Sequence, residues 1–369
     1  MAKKARKNKF EDDPVSNDLI KKYGDIIESG TKVLEDLKNF KVIGISPALD
    51  IALGGGLREG SCTVMTGDPK TGKTTTALYF AAKAQAEGKF VVYLNTEGRL
   101  TKENFTGIKG LDPERIKIMQ TPADGTPLSA EKYLSSLEKY IKQQPDLVAI
   151  IDSTSNMVPQ DELDGEIRTG VRNALPRLLS MFFKRISGEV AKNKAILIFI
   201  THNIANTGGS RWAPAKMADC GNMLQYQAGT NMVRTHRGKW ETTDGESHIG
   251  QIANWVVKTS AAGGIPNSSA QSFIRYGVGI DEVQEISMMA TEFGMISKAG
   301  AWYTIDAAID NKDHKEIKKI LKTANIDAED NESLTKFFKF QGMARLTEFL
   351  EENRPVCDLI YDEIRNMLV

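Results

Sequence analysis

Eight residues, Gly67 to Thr74, read GDPKTGKT, a spacing that suits a phosphate cradle. Its glycines let the backbone curl until several N–H groups face inward and can bind anionic oxygens. Lys73 is long enough to reach β- and γ-phosphate oxygens, and the Thr74 hydroxyl can ligate Mg2+. The apolar Val64-Met65 run before the loop and the helix-forming stretch Thr75 to Ala86 after it match the strand and helix such a loop joins. That helix would aim its positive end at the same phosphates. Gly67, Asp68, Pro69, Lys70, Thr71, Gly72, Lys73, Thr74 and Thr75 are therefore expected to hold a nucleoside triphosphate. A Gly-rich turn that fits by chance is the competing reading, and the matched flanks weigh against it.

Three more strand ends supply polar groups. Leu147 to Asp152, LVAIID, is an apolar strand ending in a carboxylate that would hold the Mg2+ shell with Thr74, directly or through water, and Ser153 sits beside it. Another strand ends Asn95-Thr96-Glu97 and is expected to lie next to the phosphate loop. There Glu97 could orient a water toward the γ-phosphate and accept its proton, a contribution of ~10²- to 10⁴-fold. A further strand ends Ile200-Thr201-His202-Asn203, and His202 could donate to a γ-phosphate oxygen and lose that bond after hydrolysis. A solvated acid and a merely structural histidine are the plainer readings of these two residues.

Polar connections follow the strand ends at Asp152 and His202, about Asn156 to Thr169 and Asn203 to Asp219. Connections of this length in a compact domain are usually functional or disordered. The second contains Asn206, Gly208, Gly209, Arg211, Trp212 and Lys216, which together can follow a phosphate backbone and stack on a base. The same composition would also serve a substrate lid.

These residues need a scaffold, and the chain supplies one. Apolar β-rich runs at Cys62 to Thr66, Phe90 to Leu94, Leu147 to Ile151 and Ala195 to Ile200 alternate with longer helical patterns. The fold class expected is therefore α/β, with a mostly parallel sheet that carries ligands at the carboxyl ends of its strands. After about residue 223, shorter β runs joined by turn signals at Thr242 to Ser247 and Gly263 to Ser269 predict an antiparallel extension. From about Ile305 the chain is polar and helical, with Ile317, Ile320 and Leu321 on one face and Leu346, Phe349 and Leu350 on another; this predicts a small C-terminal α-rich domain. Ahead of the core, Leu19, Ile20, Tyr23, Ile26 and Ile27 predict one amphipathic helix capped by Asn17, preceded by a solvated basic tail. The division expected is 1–40 for tail and helix, 41–303 for the core and 304–369 for the C-terminal domain.

Composition narrows the setting. Lys plus Arg and Asp plus Glu both number 48, so no global field draws the chain to nucleic acid or membrane, and any polyanion site must be local. Cys62, Cys220 and Cys357 are far apart and odd in number, which argues against disulfides or zinc and fits a reducing cytosol. No apolar stretch is long enough to predict a membrane span, and no apolar segment follows the basic start; a chain neither membrane-spanning nor secreted is expected.

Taken together, Leu49-Asp50-Ile51-Ala52-Leu53-Gly54, the phosphate loop, Glu97, Asp152-Ser153, Gly165-Glu166-Ile167, Leu197 to Ile200, Val256-Val257-Lys258 and Lys298-Ala299-Gly300-Ala301-Trp302-Tyr303 resemble the bacterial and phage RecA family of homologous recombinases. The resemblance covers about residues 40 to 303, and histidine rather than glutamine at 202 is more similar to a phage member. It implies a RecA-like P-loop ATPase core and helical filaments on single-stranded DNA, formed with ATP and Mg2+. It further implies strand exchange with homologous double-stranded DNA. It implies Glu97 as hydrolytic base, His202 as the link from γ-phosphate to the second loop, and an N-terminal helix docked on the adjacent subunit. The two long connections become DNA-facing loops, with Arg168, Arg172 and Arg177 as contacts in and after the first. ATP would lie between subunits, its phosphates reached by lysines of the neighbour. Lys258 matches one such lysine in this chain, while Ser260 stands where the bacterial pattern has the second. Arg234 or Arg237 is the substitute considered for it, and Thr101 replaces an acid near the adenine. The implied location is the cytoplasm, a bacterial host's cytosol or nucleoid for a phage-encoded chain. A hexameric replicative helicase on the same core and a non-catalytic ATP-binding scaffold are the alternatives. The Trp302-Tyr303 exit and the missing large N-terminal partner domain argue against the first, and the basic, glycine-rich loops against the second.

Overall fold

The computed structural model describes residues 13–24, 26–165, 174–205, 216–219, 223–241 and 247–368. They divide into two units, Met1–Lys41 and Val42–Val369. In the first, the pattern that predicts one helix gives two: α1 (Pro14–Tyr23) and α2 (Gly30–Lys38). Asp13, not Asn17, caps α1, because its carboxylate accepts from the Val15 and Ser16 N–H groups. Gly24 at φ 80° ends that helix. Neither helix has a buried residue, and Val33, Leu34 and Leu37 of α2 are exposed. The basic tail, residues 1–12, lies outside the described residues.

The second unit opens with a two-stranded ribbon, β1 (Val42–Ile43) and β2 (Leu57–Arg58), around α3 (Pro47–Leu53). Then β3 (Ser61–Gly67), α4 (Lys73–Ala86), β4 (Phe90–Asn95), α5 (Lys102–Thr106), β5 (Ile116–Met119), α6 (Ala130–Gln143) and β6 (Leu147–Asp152) alternate. They are followed by α7 (Gln160–Asp164), α8 (Ala174–Lys192), β7 (Ile196–Ala205), β8 (Lys216–Ala218) and α9 (Met223–Gln227). The antiparallel extension is β9 (Thr230–Glu241), β10 (His248–Thr259), β11 (Ser268–Arg275) and β12 (Gly279–Ile280). The sheet order is β12-β11-β10-β9-β3-β7-β6-β4-β5, parallel from β9 to β5 and antiparallel from β9 to β12. The fold is thus mixed α/β with a mostly parallel central sheet. Of its strands, β5 escapes a reading of the sequence, because the four residues IKIM leave too short a run to stand out.

Residue alternation along β7 shows why the sheet is two-faced. Ile196, Ile198 and Ile200 join one core with Leu78 and Phe80 of α4, whereas Leu197 and Phe199 join another with Leu134 and Leu137 of α6 and Phe183 of α8. A third core is built by α10 (Glu282–Glu292), β13 (Ile296–Ala299), β14 (Trp302–Ile305), α11 (Asp306–Asp310), α12 (Lys315–Ala324), α13 (Asn331–Phe337), β15 (Lys339–Gln341), α14 (Met343–Glu352) and α15 (Arg354–Leu368). Ile317, Leu321, Leu346 and Leu350 are buried there with Val283 and Ile286 of α10, so this core takes in residues before 304.

Gly54 shows a local sequence demand. It ends α3 at φ 80°, and a Cβ there would lie 2.6 Å from the Gly264 nitrogen, whose N–H bonds Leu53 O. Gly54→Ala should therefore cost about 2 kcal/mol or more in urea denaturation. Gly88→Ala, at φ 82° with open space around it, should cost only about 1 kcal/mol. Equal losses would remove the steric account.

Candidate functional site

The Gly67–Thr74 loop leaves β3 and runs into α4 along one wall of a cleft of about 260 Å³. Gly72 must be glycine: it sits at φ 91°, and a Cβ would lie 2.4 Å from Ile274 Cδ1. Lys73 is only 4% exposed, and its ammonium donates to Gly67 O and Asp68 O, both at 2.8 Å. Behind the loop, buried Arg234 donates to Thr71 O (2.9 Å), Asn254 O (2.8 Å) and Ile252 O (3.0 Å). This corrects the expectation that Arg234 could serve a neighbouring subunit. Leaving its place would strip three partly buried carbonyl oxygens of a charged donor.

Thr74 and Asp152 meet as expected: the Thr74 hydroxyl donates to Asp152 Oδ2 at 2.6 Å. Tyr93, which the apolar look of β4 concealed, donates its hydroxyl to the same oxygen at 2.6 Å. Burial raises the Asp152 pKa, and the bonds from Thr74 and Tyr93 oppose that. Burial pushes Lys73 down to about 8, against the pull of Asp152 and Glu97. A hydroxyl beside a carboxylate suits Mg2+, which takes one or two protein oxygens and fills its shell with phosphate and water. Among the described residues no group of three or more His, Cys, Asp and Glu could hold a metal alone, so Thr74 and Asp152 fit the metal only together with a phosphate ligand.

Glu97 reaches the cleft by a different route from the one expected. β7 and β6 separate β3 from β4, so the end of β4 is not adjacent to the loop. The strand ends converge instead. Thr96 N–H donates to Asp152 O at 3.0 Å and the Thr96 hydroxyl to Ser153 O at 2.6 Å, drawing Glu97 over β6. Its Oε1 then accepts the hydroxyl of fully buried Ser153 at 2.7 Å and contacts His202 Nε2 at 2.5 Å. Ser153, expected at the nucleotide, thus spends its hydroxyl on Glu97. The His202 bond above all, helped by Ser153 against the effect of burial, holds the Glu97 carboxyl at about 2. The other His202 nitrogen, Nδ1, lies 3.5 Å from Lys73 Nζ. The cleft therefore offers a buried ammonium, a hydroxyl–carboxylate pair and an ionised carboxylate tied to an imidazole.

Gln251 and Arg99 of the cleft also escape a reading of the sequence. Gln251 of β10 lines the cleft, and its buried Oε1 has no hydrogen-bond partner. Arg99 approaches Glu97 Oε2 at 3.5 Å. A glutamine inside an alternating strand and an arginine after a glycine carry no motif that marks them. Thr101 does not line the cleft; it forms a capping box with Asn104 at α5, while Asn104 and Leu100 line the cleft.

Lys258, at the exposed end of β10, donates to Asn267 Oδ1 at 3.2 Å and does not line this chain's cleft. Ser260 donates its hydroxyl to Leu53 O at 2.5 Å, a task internal to the fold. Of the residues expected to contact a polymer, Arg177 is exposed on α8, in a groove shared with Lys184 and Met181. Arg168, Arg172, Asn206, Gly208, Gly209, Arg211 and Trp212 lie outside the described residues, as do the side chains of Lys216 and Arg237. The second connection is not a loop throughout. β7 continues to Ala205 and pairs antiparallel with β8, Asn203 opposite Ala218 and Ala205 opposite Lys216. His202 stands at the root of this hairpin, where its carbonyl accepts from Asp219 N–H at 3.0 Å.

The chain also matches known proteins in sequence. A family profile described as the RecA N-terminal domain matches residues 17–281. A protein named Protein RecA from Chlorobaculum parvum is 30% identical over 279 residues, covering 75% of this chain and 77% of that protein. One of the same name from Aquifex aeolicus is 30% identical, over 75% of this chain and 77% of its own. Another from Chloroherpeton thalassium is 26% identical over 335 residues, 87% of this chain and 90% of that protein.

The state of Lys73 gives a direct test. Its charge is lost as pH rises through about 8, and a bound triphosphate should restore it by taking up a proton. Affinity for a fluorescent nucleoside triphosphate analogue should then fall ~10-fold per pH unit above that value, and Lys73→Arg, whose guanidinium stays charged, should flatten the profile. A wild-type profile level to well above the limb would show that Lys73 is not neutralised.

Proposed function

This chain belongs to the RecA family, and on that premise we propose that it is a DNA-dependent ATPase that polymerises on single-stranded DNA and catalyses homologous pairing and strand exchange in recombination and repair. The observation that carries this reading is the position of His202. Its ring contacts Glu97 and lies 3.5 Å from Lys73 Nζ, and its backbone is the root of the β7–β8 hairpin. The nucleotide cleft and the DNA-facing segment thus share one residue.

In this reading Lys73 turns from its two carbonyl partners to the β- and γ-phosphate oxygens, and loop N–H groups take the rest of the triphosphate. Thr74 and Asp152 hold Mg2+, which when bound neutralises charge on those oxygens. Glu97 orients the attacking water. A carboxyl held at about 2 is a weak base, and His202 is the first cause of that. When His202 turns toward a γ-phosphate oxygen, Glu97 loses its depressing partner and gains basicity while substrate is present. After phosphate departs, His202 returns to Glu97 and the hairpin root relaxes.

Filament assembly on single-stranded DNA, with ATP between subunits and Lys258 reaching the next subunit's phosphates, belongs to the same proposal. So do docking of the N-terminal unit on a neighbour, the 1–40, 41–303 and 304–369 division, and DNA contacts by residues 156–169, by Arg172 and Arg177, and by residues 203–219. Histidine at 202 supports a phage-type member acting in a bacterial host's cytosol or nucleoid. Family membership disfavours the helicase and scaffold alternatives.

Incubated with ATP, Mg2+, circular single strands and homologous linear duplex, the protein should form joint molecules and filaments; unwinding of forks without joint molecules would instead make it a helicase. Glu97→Gln should keep ATP binding while turnover falls by ~10²-fold or more. Trp212→Ala should weaken single-strand binding by roughly 1 to 3 kcal/mol with nucleotide affinity unchanged.

A further inference from the structure

Arg99 has no part in the roles assigned so far, yet it lines the cleft that holds Lys73, Thr74 and Glu97. It follows Gly98, whose φ of 63° turns the chain at the end of β4. One guanidinium nitrogen stands 3.5 Å from Glu97 Oε2, while Oε1 is occupied by Ser153 and His202. That contact is longer than the ~2.7 to 2.9 Å of a locked charge-assisted bond. The side chain is also 70% exposed, against 12% for Glu97. Arg99 is therefore tethered to the acid but free to rotate.

Charge at the cleft gives that freedom a use. Among the described lining residues, Glu97 and Asp152 already place two carboxylates beside Lys73. As the water oxygen bonds to the γ-phosphorus, the bond from γ-phosphorus to the bridging oxygen breaks and its electron pair leaves with ADP. The water's proton passes to Glu97. Negative charge then spreads over the γ-phosphoryl oxygens and the leaving oxygen, the two ends of the breaking bond. Lys73 is a single point charge and cannot cover both ends of the breaking bond.

We infer that Arg99 is a substrate-contacting cation of the hydrolytic site, held near Glu97 Oε2 and turning to the γ-phosphoryl oxygens when ATP binds. The inference rests on the ATPase reading. The move does two things at once: it supplies a planar fork of donors to the transferring group, and it vacates the Glu97 oxygen available to the attacking water. The chain thereby carries its own counter-charge rather than taking all of it from a neighbour.

The test is steady-state ATP hydrolysis by the full-length protein on circular single-stranded DNA, comparing wild type, Arg99→Ala and Arg99→Lys, with thermal melts as a fold control. In Arg99→Ala, kcat should fall roughly 10- to 100-fold, less than the ~10³- to 10⁵-fold of a fully enclosed arginine finger, because this side chain begins in solvent. KM should change by no more than about threefold. Added guanidinium at subdenaturing concentration should restore part of the Arg99→Ala rate, and Arg99→Lys should fall between the two. An unchanged kcat, a rise in KM alone, or a kcat loss with neither guanidinium rescue nor any benefit from lysine would overturn the role. Wild type that fails to hydrolyse ATP with DNA would sink the ATPase reading itself, whereas active wild type with unaffected Arg99→Ala removes only Arg99.

Discussion

One carboxylate oxygen, Glu97 Oε1, binds the ends of three strands into a single site. The sheet places β7 and β6 between the phosphate-loop strand and β4, so strand adjacency alone would leave Glu97 to one side. Ser153 from the end of β6 and His202 from β7 both reach that oxygen, and the Thr96 side chain and backbone seat the turn over Asp152 and Ser153. Hydrogen bonds to a charged acceptor contribute about 1.5 to 3 kcal/mol each, enough to fix where the acid sits but not to prevent exchange for another partner. A site built this way is held by the chain's own groups, through bonds that a ligand could exchange.

The loop itself depends on a second constraint, hidden from the cleft. Arg234 fills the space behind it and satisfies carbonyl oxygens from the loop and from β10, and a Cβ on Gly67 would lie 2.5 Å from Arg234 Cβ. Buried charge is costly unless fully paired. Here the charge is enclosed by three carbonyl dipoles and lies 5.8 Å from the Trp255 ring centroid. The antiparallel extension is therefore not an appendage: β9 and β10 supply the wall on which the Gly67–Thr74 turn is shaped.

The parallel core, its antiparallel extension and the helical C-terminal region are legible in the sequence because each depends on short-range pattern: apolar runs such as LVAIID, helical spacing at Ile317 and Leu321, and a glycine-framed turn. Asp152 and Thr74 can be paired for the same reason, since a strand end and a loop end have few places to go. Strand order is not legible, and the misplaced adjacency of β4 follows from that, because which parallel strands neighbour one another is decided by long-range packing of α4, α6 and α8. Arg234, Tyr93, Gln251 and Arg99 are hidden more deeply. Each sits in an ordinary strand or turn, and its role exists only where segments distant in sequence meet. The N-terminal helix reads too long because Ile26 and Ile27 keep the apolar period after Gly24 has ended the backbone helix.

The hairpin root explains how a change at the phosphates can be felt beyond the cleft without a long chain of contacts. Lys73 is held by the carbonyl oxygens of Gly67 and Asp68, and the Asp68 carboxylate accepts from Asn203 at 3.2 Å. His202, one residue earlier, is bound through its ring to Glu97 and through its carbonyl to Asp219 at the far side of the hairpin. Two consecutive residues of β7 therefore answer to two separate parts of the cleft. In the proposed ATPase reading, moving Lys73 toward phosphate oxygens would free the Asp68 carbonyl, and drawing His202 toward the same oxygens would release Glu97. Both changes load the same short stretch of backbone. In the proposed ATPase reading the displacement would pass from β7 to β8, since a packed strand pair shifts as a unit more readily than it stretches.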